Sequence, residues 1–194
     1  MKKRYWYNFL WIFSLIYLLI GFFNIIFAWI GLICFVTPLL FAIIGGNKLY
    51  CNKFCGRGQL FELLGKNLKL SRNKKPPKFL SSKIFRYGFL TFFLTMFMIM
   101  LYSTYLVFAG ATLKEAITLL WVFELPWRWN TSSFVPTWVL QFAFGFYSVM
   151  LTSTILGLLT MLLFKPRSWC VYCPMGTMTQ AICKLKNREE EPSE

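Results

Sequence analysis

The chain contains no histidine and no aspartate. Without imidazole there is no His-ligated metal, no bis-His haem and none of the usual proton shuttles, so any metal or redox chemistry has to run on sulfur. Acidic residues are scarce, seven against 21 Lys and Arg, and none falls inside a long apolar run. A proton or cation pathway through a membrane bundle needs ionisable groups at depth, and their lack argues against a transporter. What is abundant is apolar surface: 57% hydrophobic residues, among them 22 Phe in 194 residues. A soluble domain of this size cannot hide so much, whereas a lipid bilayer leaves it facing acyl chains. The net charge of +14 would suit nucleic acid, yet the basic residues sit between apolar runs rather than along one polar face. That pattern reports membrane topology and contact with lipid, not a nucleic-acid partner.

The first apolar block, Tyr7 to Ile44, is far longer than a signal-peptide core, so no cleavable leader is expected. It holds two helices only if the chain turns tightly, and Gly21-Phe22-Phe23-Asn24 is the available turn. Helix 1 is therefore expected over Tyr7–Ile20 and helix 2 over Ile25–Ile44, kinked at Pro38 and ended by Gly45-Gly46. Helix 3 is expected over Ile84–Phe108 and helix 4 over Thr137–Phe164, with Ala111–Pro136 between them as an aromatic interfacial segment. Basic residues number three at the N-terminus, eleven over Asn47–Arg86 and five from Lys165 onward, against two in the helix 3–4 loop and none in the first turn. That asymmetry predicts a multi-pass plasma-membrane protein with both termini and the middle loop in the cytoplasm.

Two cysteine pairs follow the two hairpins: Tyr50-Cys51-x3-Cys55-x2-Gly58 after helix 2, and Trp169-Cys170-x2-Cys173-Pro174-x-Gly176 after helix 4. Aligned on the second cysteine of each, Gly58 falls on Gly176, Leu60 on Met178, Glu62 on Gln180, Leu64 on Ile182 and Lys66 on Lys184. This reads as an internal duplication, two parallel repeats related by an axis along the membrane normal, which brings both cysteine segments to one face. The expected fold is all-α, a single membrane domain of four transmembrane helices in two repeated hairpins, each followed by a cysteine loop and a short interfacial helix. Its parts are residues 1–70 with the first hairpin and cysteine loop, 71–83 as basic linker, 84–188 with the second, and 189–194 as disordered tail.

Short spacings such as C-x3-C and C-x2-C let two thiolates of one loop reach a common centre, and two loops supply four sulfurs. Pro174 suits the first position of a helix, which makes Cys173 its N-cap, and Cys55 holds the equivalent place before Gly56-Arg57-Gly58. Helix N-termini and nearby Lys53, Arg57 and Arg167 are expected to acidify these thiols. Gly56, Gly58 and Gly176 let backbone approach inorganic sulfide. Cys34, in mid-helix 2, is expected to be a packing residue, as is Cys183, which also stands as a candidate extra ligand. Spacing leaves a [4Fe–4S] cluster, a [2Fe–2S] cluster and a single iron or zinc ion all open.

These two segments resemble the membrane core of the polyferredoxin-like 4Fe–4S binding membrane proteins, the family of nitrate- and nitrous-oxide-reductase membrane subunits and the cbb3-oxidase assembly protein. Here Gly56 stands where the family has Pro, the second pair is C-x2-C rather than C-x3-C, and the soluble ferredoxin module is missing. The resemblance implies an iron–sulfur cluster, most simply [4Fe–4S], on Cys51, Cys55, Cys170 and Cys173. It further implies electron transfer between a cytoplasmic donor such as ferredoxin or flavodoxin and a membrane redox partner or quinone. Two other readings compete: a zinc-clamped assembly factor, and a membrane thiol–disulfide oxidoreductase whose redox pair is Cys170/Cys173. Cytoplasmic sidedness counts against the last, because disulfide formation belongs to the oxidising side.

Overall fold

The computed structural model describes residues 9–46, 50–114, 116–120, 123–125 and 135–189, apart from the side chains of Asn52 and residues 187–189. It is mostly helical, 78%, with six helices, as an all-α chain requires. The first helix, α1 (Leu10–Phe23), is rich in Leu, Ile and Phe and stops at Asn24. Asn24 is extended, and its side chain accepts the Ile26 amide at 3.1 Å, capping the next helix. The predicted four-residue turn thus shrinks to one residue. Gly21 lies inside α1, buried where Tyr147 packs on it, and the Tyr147 hydroxyl donates to the Leu18 carbonyl at 2.7 Å. Tyr7, the expected start of helix 1, lies outside the described residues.

A 3₁₀ turn, Ile25–Trp29, leads into α2 (Ile30–Gly45), which continues through Pro38 and ends at Gly46 in the left-handed conformation, φ 59°. After the short α3 (Gly56–Glu62) come α4 (Lys83–Phe108), N-capped by the Ser82 hydroxyl on the Phe85 amide, and α5 (Thr137–Leu163). The last helix, α6 (Pro174–Glu189), begins on proline. Three helical stretches, Ile25–Gly45, Lys83–Phe108 and Thr137–Leu163, are long and apolar enough to cross a membrane. With 14 residues α1 falls short: at ~1.5 Å per residue it covers about 21 Å of a core roughly 30 Å thick. Large apolar side chains such as Ile33, Ile44, Ile84 and Phe108 stand exposed along α2 and α4, a surface suited to lipid.

The axis of the molecule is α5, whose buried residues run from Leu140 to Met161 while Ile155, Leu158 and Leu159 stay exposed. Tyr17, Ile25, Ala28 and Ile117 pack around Ala143, Phe144 and Tyr147 toward its start. Met100, Phe142, Phe146 and Met150 fill its middle, and Phe61, Met161, Trp169 and Tyr172 its end.

Two connecting segments fold inward rather than lying on the surface as expected. In the α4–α5 loop a two-residue antiparallel pair forms, β1 (Thr118–Leu119) with β2 (Phe123–Glu124), the one strand pairing among the described residues. The Thr118 amide donates to Ser148 Oγ at 3.1 Å and the Lys114 amide to Gln141 Oε1 at 3.1 Å, so polar side chains of α5 satisfy backbone that would otherwise be stranded. The predicted aromatic stretch Pro126–Trp129 lies outside the described residues.

The other inward segment is α3, bracketed by single π-helical turns, Tyr50–Phe54 and Leu63–Asn67. Leu60 and Phe61 are buried, so α3 is no surface helix. It wedges between α1 and α5 because small residues meet there. A side chain at Gly56 would collide with the Leu10 carbonyl and Ser14 Oγ, and one at Gly157 would stand 2.5 Å from the Phe61 ring. The second short helix, α6, packs on α2 and α4. Lys186 Nζ donates to the terminal α2 carbonyls of Ile43 and Ile44 at 3.1 and 2.9 Å.

Candidate metal centre

The two cysteine segments interleave at the end of the bundle where α2 and α5 terminate and α4 begins. Cys55 is the N-cap of α3, its sulfur accepting the Gly58 amide at 3.4 Å. Cys170 belongs to the 3₁₀ turn Ser168–Val171, and Cys173 directly precedes Pro174, with the Thr177 amide bonded to its carbonyl at 2.9 Å. A Cβ placed on Gly58 would stand 3.6 Å from Cys55 Sγ and 3.7 Å from Cys170 Sγ, so that single glycine separates one sulfur of each pair. Cys51 crosses in the other direction. Its sulfur lies 3.7 Å from the hydroxyl of Thr179 on α6, which itself donates to the Gly176 carbonyl at 3.2 Å. A hydroxyl has one proton to give, so the Cys51 thiol is the donor to Thr179.

All four of these cysteines line one cavity of about 420 Å³, together with Gly58, Gly176, Arg57 and Arg86. The cavity runs up between the helices to Gly31, Cys34 and Phe35 on α2 and Phe93 and Phe97 on α4. The sulfurs therefore border a space reaching well inside the bundle instead of lying in loops beneath it. All six cysteines are free thiols. Cys34 lines the cavity from α2, although the sequence offered it only as packing; Cys183 is buried on α6 and does not line it. Among the described residues no three Cys, Asp or Glu side chains close on a point the size of one ion.

At Cys170 and Cys173 the surroundings do the opposite of the expected acidification. Cys170 is pushed up to about 12, first by burial and then by its neighbours Cys55 and Cys173, with Arg167 pulling the other way. Its accessible surface, large for the residue, opens on the cavity it lines. Cys173 is pushed up to about 11 by burial, against the Gly176 amide and the charge of Arg57. The helix-terminus and cation effects are both present, and burial outweighs them. Such thiols hold their protons until a metal displaces them, so loading the site releases protons.

The cations divide into two kinds. Arg167 is neutralised by Glu62 at 2.6 Å on the exposed rim, a contact worth little in stability. Arg57 turns inward, with Nη1 donating to Ser153 Oγ at 2.5 Å and Nη2 to Met150 Sδ at 2.6 Å. Arg86 donates to Gln180 Oε1, and its buried Nε has no hydrogen-bond partner among the described residues. Nothing in the local pattern around Arg86 or Thr179 marks either as a site residue. Arg57 was noted only for its charge, though its place between two glycines hinted at a close approach.

The donor set fits an iron–sulfur cluster: four thiols of two segments around a space that Gly58 and Gly176 keep free of side chains. Residues 27–78 and 148–189 match a family model described as a 4Fe-4S binding domain; the first stretch holds Cys51 and Cys55, the second Cys170 and Cys173. No curated protein and no solved structure matches the chain. The match covers just under half of the chain and supports an iron–sulfur cluster, [4Fe–4S], as the cofactor.

Proposed function

We propose that the chain is a four-span membrane protein that relays electrons through one [4Fe–4S] cluster held by Cys51, Cys55, Cys170 and Cys173. The observation that carries this reading is the interleaving, with Gly58 between Cys55 and Cys170 and Cys51 on Thr179. Tetrahedral zinc needs four sulfurs each ~2.3 Å from one ion. The match to a 4Fe-4S binding domain favours a polynuclear core over a single zinc ion. Such a cluster takes up and gives out single electrons. The chain's own contribution is to hold the thiols in a cation-flanked cavity lined further in by aromatic and aliphatic groups.

Both termini and the cysteine end are assigned to the cytoplasm on the distribution of Lys and Arg. The donor is then a cytoplasmic ferredoxin or flavodoxin, and the acceptor a membrane redox partner or quinone. Exposed Lys74, Lys75 and Lys78 on the linker offer such an acidic donor a landing surface. Reversing those three charges should slow reduction by the donor; an unchanged rate would remove the linker from the docking site.

The deciding experiment is anaerobic purification from the membrane fraction, followed by an absorption spectrum and assays of iron, acid-labile sulfide and zinc. Brown protein with near-equal iron and sulfide supports the proposal. Colourless protein with stoichiometric zinc, or metal-free protein with a reducible Cys170–Cys173 disulfide, overturns it.

A further inference from the structure

Among the described residues, the cavity that carries the four thiols has two arginines in its wall and no carboxylate. The two ion pairs among the described residues, Lys114–Glu124 and Arg167–Glu62, involve neither of them. Arg57 is hydrogen-bonded to a hydroxyl and a thioether, and Arg86 to an amide, all neutral acceptors. Both are half-buried in the cavity wall, and a guanidinium drawn even partly out of water against neutral partners is costly unless an opposite charge offsets it. The two come from different parts of the chain, Arg57 from the segment of the first cysteine pair and Arg86 from the first turn of α4, against the segment of the second pair. Arg57 is near enough to act on the Cys173 thiol by its charge.

We infer that Arg57 and Arg86 are the counter-charges of the sulfur site, making a buried anionic cluster tolerable and setting its reduction potential. This rests on the proposed four-cysteine ligation. Four thiolates outweigh the positive charge of an iron–sulfide core, and gaining an electron makes the site more negative still, so nearby fixed positive charge favours the reduced state. Both are positioning residues in this sense: neither has to touch iron or sulfide to act. Arginine suits the task because it cannot lose its proton in the enclosure, where a lysine can.

The test is an anaerobic redox titration followed by electron paramagnetic resonance, on wild type and on R57Q, R86Q, R57K and R86K, with iron and sulfide measured for each. Each Gln variant is expected to keep its cluster and to shift the reduction equilibrium at least tenfold toward the oxidised form, ~59 mV for one electron. Each Lys variant should shift it by less. A Gln variant with full iron and sulfide and a wild-type potential overturns the inference for that arginine. Should a Gln variant lose its cluster, the matching Lys variant decides: retention near the wild-type potential supports a charge role, and loss in both overturns it in favour of shape or hydrogen bonding. Wild type without iron and sulfide defeats the ligation itself; a loaded wild type with insensitive variants defeats only the role of the arginines.

Discussion

The position of α3 depends on a single missing methyl group at Gly157. A Cβ there would meet Cε2 and Cζ of Phe61 at 2.5 Å and Trp169 Cδ2 at 3.3 Å. The Phe61 ring cannot swing clear, because it is 1% exposed in a cluster with Met161, Trp169 and Tyr172. Gly157→Ala therefore pushes α3 off α5, with an overpacking cost of about 1–3 kcal/mol. At 2 kcal/mol the folded-to-unfolded ratio drops roughly thirtyfold. Cys55 caps α3, so the displacement also widens the gap to Cys170, which sits on α5's side of the site. Thermal unfolding in detergent and the iron and sulfide content per chain measure the two effects, and both should fall. Trimming the ring in Phe61→Leu makes room, so the double variant should recover part of the loss, a coupling of about 0.5–3 kcal/mol. Gly157→Ala protein that melts like wild type and carries a full complement of iron would refute the placement of α3.

Single Cys→Ser replacements at 51, 55, 170 and 173 should each abolish or convert the cluster, seen as loss of visible absorption, whereas Cys183→Ser should keep it. Loss in Cys183→Ser and retention in Cys51→Ser would invert the ligand set. In metal-free protein the folded state keeps its protons on Cys170 and Cys173 up to pH about 12 and 11, while unfolded thiols lose theirs near pH ~8.5. The unfolded chain thus binds fewer protons above that point, so the contribution to stability is level below it and falls as pH rises toward 11. A melting curve against pH should show that decline and a shallower one in the Cys170→Ser, Cys173→Ser double variant; identical slopes would contradict it. Lys186→Ala removes the cation on the terminal α2 carbonyls and should cost on the order of 0.5 kcal/mol in detergent melts, with no loss of iron.

The long helices were legible because a bilayer imposes a length and an apolar composition that few other structures demand. The expected Ile84–Phe108 and Thr137–Phe164 lie within one residue of α4 and α5 at either end. The cysteine pairs were legible for a different reason, since turn residues and thiols at short spacing have few other uses, and Cys55 does cap its helix. The extent of the tight turn was misjudged: Gly21 looked like a turn residue, and its use is to admit the Tyr147 ring. The depth of α3 was also misread. Leu60 and Phe61 have the same composition on an interfacial helix as on a buried one. What decides between them is Gly157, about a hundred residues away in the sequence. The thiol acidities went wrong for a related reason, because a helix N-terminus can be read locally and burial cannot. Four spans in two repeats remain part of the proposal, with three stretches long enough to cross and α1 shorter than the core it would have to span.

Because Cys51 leans on Thr179 and Gly58 sits between Cys55 and Cys170, neither half of the chain contains the pocket by itself. A ribosome adding roughly 5–20 residues per second needs on the order of ten seconds to travel from one pair to the next. During that interval the earlier thiols wait in the membrane with no matching half, and iron delivered then would find only two of its ligands. On the proposed ligation the cluster can be completed only after Cys170 and Cys173 have been made, and once in place it would tie the first cysteine segment to the second.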